Sequence, residues 1–277
     1  MEKFMPIMKN QAISQDDNYP EETLIVTSTV RSQDPHLTIK DKDIRLYQLF
    51  CSMICWIKHS KIKNIILCDN SCLKNVFFPL NVMAKEHDKN LEILTFHGDH
   101  QKVIQYGKGF GEGEIMRHIL QNSLLLKGKR TFFKITGRVF VENFDEIMDA
   151  EKTKKTVFDF RTQSWKKAGW HIIAQLPFAQ AINNRSIGYI STVFYKCCLN
   201  YYRQHLIDCH TKVSDLNDLG LERRMFLPLM KNGFKTFQVQ PSLIGQCAGT
   251  GLSYGKKNDF LPAVSKRANE MIAALDL

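Results

Sequence analysis

Residues 108–138 read KGFGEGEIMRHILQNSLLLKGKRTFFKITGR, and the order of their parts decides the fold. Glycines at 109, 111 and 113 alternate with Phe110, Glu112 and Glu114, behind Lys108. Backbone without side chains approaches a phosphate or sugar closely, so this opening reads as a Gly-rich loop. IMRHILQNSLLL follows with apolar residues at helical spacing, so the loop opens a helix. The first amides of that helix and its positive end would suit an anion. RTFFKI then reads as a strand that ends at Thr136, Gly137 and Arg138. A P-loop would need Gly-Lys-Ser/Thr after its glycines, and a dinucleotide fingerprint would follow the first strand. Neither pattern is present.

Upstream, strand and helix alternate. TLIVTSTV (23–30) is β-branched and apolar throughout and reads as a buried first strand. Residues 41–60 carry apolar positions at helical spacing with Asp41 near the start, and read as a helix. KNIILC (63–68) is a second strand that ends at Asp69, Asn70 and Ser71. Residues 73–88 read as a helix and 91–96 as a third strand. Alternation with short connections predicts an α/β fold, a mainly parallel sheet with helices on both faces. Ligands in such sheets bind at the carboxyl ends of strands. Downstream, 156–160 and 171–176 read as strands, and 192–205 as a helix with an aromatic stripe. Residues 216–230 read as a helix, 234–244 as a late strand, and 261–275 as an amphipathic helix. The expected organisation is a flexible arm at 1–20, one catalytic domain at 21–260 and a terminal helix at 261–277. The domain would divide into a nucleotide-binding half (21–145) and an acceptor half (146–260).

The chain has 277 residues, 44% hydrophobic and 24% charged, an ordinary soluble composition. Its net charge of +10 favours phosphates, nucleic acid or an anionic membrane face. No zinc-finger, basic-zipper or RNP-like signature accompanies the charge, so no nucleic-acid partner is expected. None of the eight cysteines forms a C-x-x-C pair, which leaves a zinc site without support. Cys51 and Cys55, four apart in an apolar run, read as small core residues of a helix. Met1 to Pro20 lacks a signal-peptide core, and no stretch reaches the ~20 apolar residues of a spanning helix. A cytoplasmic setting is expected, with a peripheral position at the inner membrane face.

The order of loop, helix and strand resembles the nucleotide-binding half of GT-A glycosyltransferases. The pattern GKGxGEGE…KITGR is most similar to bacterial transferases of surface-polysaccharide and lipopolysaccharide gene clusters. The resemblance covers residues 22–145. It implies a Rossmann-type sandwich, a nucleotide-sugar donor and a glycan or glycolipid acceptor. It places Thr27, Ser28, Arg31, Asp69 and Asn70 at the base and ribose. It places Lys108, Gly109, Gly111, Glu112, Glu114, Lys134, Thr136 and Gly137 around the rest of the donor.

Where the superfamily carries a metal-binding Asp-X-Asp, this chain has Lys134-Ile135-Thr136-Gly137-Arg138. No Mn or Mg site is therefore assigned; Glu112, Glu114 and Asp159 are the carboxylates left for one. Arg138 would bring the positive charge to the leaving diphosphate, because a guanidinium fork matches phosphate oxygens. An inverting transfer also needs a carboxylate to take the acceptor proton. Glu222, at the start of a late helix beside Arg223 and Arg224, fits that place best, with Asp218 next. The loop 245–254, with its glycines and hydroxyls, reads equally as a closure over the donor phosphates and as a surface connection. A sugar-phosphate nucleotidyltransferase and a non-enzymatic phosphate- or nucleic-acid-binding module are the competing readings. The first would need its Gly-rich loop after the first strand; the second has only the net charge behind it.

Overall fold

The computed structural model describes residues 22–73, 75–164, 186–217, 219–247, 251, 253–255 and 261–275. The arm at 1–20, the strand expected at 171–176 and Asp218 lie outside them.

The strands β1 (Thr23–Ser28), β2 (Asn64–Asp69), β3 (Asn90–Thr95) and β4 (Thr131–Thr136) are parallel to one another. The long strand β7 (Ser186–Cys198) runs antiparallel to β4, and β6 (Val157–Ser164) antiparallel to β7. The two-residue β8 (Lys235–Thr236) closes the far edge, so the order is β3-β2-β1-β4-β7-β6-β8.

Both faces of the sheet are covered. Leu24, Val26, Ile65, Leu67, Phe133 and Ile135 pack on one side against α1 (Lys42–His59) and α2 (Phe78–Glu86). Ile25, Ile66, Cys68 and Phe132 point the other way, against α4 (Lys108–Asn122) and α6 (Leu221–Asn232). Burial on both faces is why the parallel strands read as continuous apolar runs. Helix α1 starts where Asp41 accepts the amides of Asp43 (2.8 Å) and Ile44 (3.0 Å), an N-cap. Cys55 is buried on it and Cys51 half-buried.

A second sheet is built from β5 (Val139–Val141), β9 (Leu243–Gln246) and β10 (Ser253–Tyr254), all antiparallel. The late strand read at 234–244 is thus two strands in different sheets. Pro241, which has no amide to donate, lies between them. Short helices α3 (His100–Tyr106) and α5 (Phe144–Ala150) complete the first half.

The stretch 192–205 is not one helix. Its first part belongs to β7, and helical turns begin only at Leu199–Tyr201 and continue as Tyr202–Leu206. The β-branched and aromatic run YISTVFY satisfies a strand buried on both faces, with Phe194 and Tyr195 in opposite halves of the core. The last helix, α7 (Leu261–Ala273), lays Val264, Ala268 and Met271 into the core beside α1 and leaves Lys266 and Arg267 exposed. Among the described residues no helix is long and apolar enough to cross a membrane.

Candidate active site

Register brings the strand ends together. Ser28 lies beside Asp69, and Thr27 beside Thr136. A cleft opens there, walled by Thr27, Ser28 and Arg31 after β1, Asn70 after β2, and Thr136, Gly137 and Arg138 after β4. Lys108, Gly111 and Glu112 face it from α4, Glu222 from α6, and Gln246, Cys247 and Tyr254 from the β9–β10 hairpin. Gly137 is required by close approach. A Cβ there would meet Leu49 Cδ1 at 2.9 Å and the Thr27 carbonyl at 3.0 Å, and its amide donates to that carbonyl at 2.8 Å. Gly245, at φ 132°, meets the carbonyl of Arg138 so closely that any side chain would overlap it. That contact locks the backbone of Arg138 to the hairpin.

The Gly-rich segment is not a loop. Its glycines lie inside α4, which begins at Lys108. Glycine costs a helix about 1 kcal/mol relative to alanine, and here space explains the expense. A Cβ at 109 would meet Leu221 Cβ at 3.1 Å, and one at 111 would meet Val103 Cγ2 at 3.1 Å. At 113 it would lie within 3.0 Å of three His210 atoms. The glycines therefore form a seam for protein neighbours, and Gly109 is not part of the cleft wall. Nor is the helix start free for an anion. The N-cap residue Gly107 has no side chain, and Asp215, from the turn Asp215–Asn217, accepts the amide of Gly109 at 3.4 Å in its place.

Besides Arg31, three cations meet at the cleft. Arg45, invisible in the sequence as a site residue, is 4% exposed. Its Nε donates to the carbonyls of Thr29 (2.8 Å) and Val30 (3.2 Å), and its Nη1 to that of Ile39 (3.0 Å). Burial, then the neighbouring charge of Arg138, pull its pKa down to about 9. Arg138 is lowered too, by burial, and its Nε is buried without a hydrogen-bond partner among the described residues. Lys108 is open to solvent from the cleft; burial of its ammonium lowers its pKa, but Glu222 and then Cys247, Glu112 and Asp215 outweigh this, and the net shift is upward. The charge of Arg138 thus disfavours that of Arg45, and Arg138 keeps one idle donor at the cleft.

The divalent metal that the resemblance implies does not fit these residues. Among the described residues no three His, Cys, Asp or Glu side chains group as ligands. The wall where Asp-X-Asp would stand is cationic. Glu112 is engaged by Lys134, Glu114 faces elsewhere, and Asp159, on β6, is not part of the wall.

Three expected donor ligands are placed differently. Asp69 is fully buried, and its two oxygens accept the amides of Val30 (2.9 Å) and Ser71 (2.8 Å). It ties the two strand ends and leaves the wall to Asn70. Lys134 is 0% exposed, paired with Glu112 beneath the cleft. Glu114 accepts the amide of Asp99 at 3.2 Å and lines a separate groove with Phe96 and His118. Glu222 does reach the cleft, where Thr192 donates to its Oε1 at 3.3 Å. Asp215 behind it is raised to about 6, by burial first and then by the charge of Glu222. Arg45 carried one signal in the sequence, a charge on the apolar stripe Leu49, Trp56 of an otherwise ordinary helix. Asp215 carried none.

No protein-family model matches this sequence, and no curated protein matches it. Among solved structures, the chain is similar to the galactosyltransferase LgtC, solved with donor and acceptor sugar analogues. That match has a TM-score of 0.55 at 9% identity, over 92% of this chain and 96% of that one. The glycosyltransferase GlyE of Streptococcus pneumoniae TIGR4 gives 0.47 at 11% identity, over 79% of this chain. This chain spans about half of GlyE, 46% of its length. A putative glucose-1-phosphate thymidylyltransferase of Bacillus anthracis gives 0.48 at 13%, over 92% of this chain and 96% of that one. At such identities the likeness is one of fold, and the LgtC match carries it. The fold is a GT-A-like α/β sandwich, similar to that of LgtC.

Proposed function

We propose that this chain is a glycosyltransferase that moves a sugar from a nucleotide-diphosphate-sugar donor to a glycan or glycolipid acceptor in surface-polysaccharide or lipopolysaccharide synthesis. The observation that carries the reading is the meeting of Arg45, Arg138 and Lys108 at the carboxyl ends of β1, β2 and β4. In open α/β sheets ligands bind outside the carboxyl ends of the strands, and LgtC, whose fold is similar, was solved with donor and acceptor sugar analogues. Thr27, Ser28, Arg31 and Asn70 would hold the nucleoside. Arg138, with Lys108 and Arg45, would neutralise the diphosphate as the bond from sugar C1 to phosphate oxygen breaks. Glu222 would take the proton of the acceptor hydroxyl as its oxygen joins C1, the inverting course. Charge developing on a leaving group is best met by dipoles and cations already in place. Approach to an anionic membrane would rest on net charge, since the apolar face of α7 is spent in the core.

The test is thermal stabilisation by UDP, GDP and CMP in EDTA, followed by hydrolysis of the matching nucleotide sugars. Stabilisation by one nucleotide and metal-free release of it are expected. Stabilisation by nucleic acid alone would refute the reading, and turnover that EDTA abolishes and Mn restores would refute the metal-free part. Release of pyrophosphate from a nucleoside triphosphate and a sugar phosphate would identify a nucleotidyltransferase instead.

A further inference from the structure

Beneath the cleft lies a cation that no donor reaches. The ammonium of Lys134 has three protons to donate. It gives them to the carboxylate of Glu112, to the carbonyl of Thr192 at 2.7 Å and to the hydroxyl of Thr136 at 3.3 Å. All three partners belong to residues that line the cleft. Thr192 stands on β7 just past the residues that pair with β4, whose register runs from Thr131↔Cys198 to Ile135↔Phe194. It is 3% exposed. Its carbonyl is held by Lys134 from below, while its hydroxyl donates to Glu222 Oε1 at 3.3 Å. That is long for a bond between two oxygens, as catalytic contacts often are before substrate closes the site.

We propose that Thr192 is a positioning residue for Glu222, fixed in turn by the buried ammonium of Lys134. This rests on the reading of Glu222 as the base. The first turn of α6 allows Glu222 several rotamers, and the hydroxyl of Thr192 holds Oε1 in one direction. A β-branched threonine is stiff at χ1, so its hydroxyl direction is set by the strand. With Oε1 held, Oε2 is left for the acceptor; it sits 2.9 Å from where a Cβ on Gly220 would be. One lysine thereby sets both carboxylates of the cleft: Glu112 directly and Glu222 through a threonine on the neighbouring strand.

The experiment follows release of nucleoside diphosphate from UDP-glucose, UDP-galactose and GDP-mannose by the full chain, choosing the donor turned over fastest. Variants are T192V, T192S, E222Q and T192V/E222Q, each checked for an unchanged melting temperature. Loss of the held orientation should lower kcat about 10-fold in T192V and leave donor KM within about two-fold. T192S, which keeps the hydroxyl, should stay within about three-fold of wild type. The double variant should run within about two-fold of E222Q alone, since both changes act through one carboxylate. Wild-type kcat in T192V while E222Q is slow would overturn the inference and spare Glu222. So would a T192V defect that persists in full on top of E222Q, which would mark a merely structural effect. Wild-type turnover in E222Q would overturn the base reading first and this inference with it.

Discussion

Gly113→Ala separates a helix seam from a phosphate loop by the sign of its effect. In a helix with room, alanine stabilises by about 1 kcal/mol over glycine. Here a Cβ at 113 would lie within 3.0 Å of His210 Cβ, Cγ and Nδ1. The clash is with the root of a side chain that is 3% exposed and whose Nδ1 is 2.9 Å from the Ile207 carbonyl, so it cannot swing away cheaply. Either α4 or the turn Cys209–Lys212 must move. Overpacking of this kind costs roughly 1–3 kcal/mol and sometimes more. With contacts this short the upper end applies, about 3 kcal/mol, and after the gain of about 1 kcal/mol in propensity a net loss of about 2 kcal/mol is expected, a fall of about 5 °C in melting temperature in a chain of this size. Differential scanning fluorimetry of G113A against wild type reads it. Gly111→Ala is the internal comparison, because its neighbour is the movable tip of Val103, at 3.1 Å; its melting temperature should stay within about 2 °C. A melting temperature for G113A equal to or above wild type would show that residues 108–114 are not packed as this helix.

R138M should weaken binding of the stabilising nucleoside diphosphate about 10- to 100-fold by calorimetry, with R138K between, since lysine keeps charge and loses the fork; wild-type affinity in R138M would remove Arg138 from the phosphate seat. Asp215 has a pKa near 6 in the fold against a usual 3.8, so its contribution to stability is full below 3.8 and lost as pH rises through 6. Urea unfolding should therefore show wild type losing roughly 1–2 kcal/mol relative to D215N between acid and neutral pH, allowing for solvent at the site. Parallel curves would exclude a buried, repelled carboxylate. Removal of residues 261–277 uncovers the core where Val264 and Met271 pack, and should lower the melting temperature by roughly 10 °C; an unchanged melt would detach α7 from the core.

The parallel half was legible because its signals are local. TLIVTS, NIILCD and TFFKIT are buried on both faces, and Asp41 caps its own helix, so composition alone marks them. The glycines of α4 were misread because their reason is not local. Glycine lowers helix propensity, and at 109 and 113 it is Leu221 and His210, about a hundred residues away, that explain why it is tolerated. Residues 192–198, the last part of β7, read as helix because the core aromatics Phe194 and Tyr195 continue into Tyr201 and Tyr202 at helix-like intervals. At the site, Thr27, Ser28, Asn70, Arg138 and Glu222 stand at element ends, where ligand residues are sought, and they meet in one cleft. Asp69 also stands at an end, but its carboxylate is consumed by two amides. Arg45 and Asp215 escaped notice because one sits within a helix and the other in a three-residue turn. Each acquires meaning only from burial and from the charge that the fold sets beside it, Arg138 for Arg45 and Glu222 for Asp215.

The lock between Gly245 and Arg138 also sets a schedule. Arg138 leaves the ribosome with the first half of the chain, next to the strands it extends. The hairpin that holds its backbone, and that brings Gln246, Cys247 and Tyr254 to the cleft, is translated long afterwards. A nascent chain can complete β1 to β4 early and still lack one wall of the cleft. The cleft is thus walled on every side only once the β9–β10 hairpin has docked against β5.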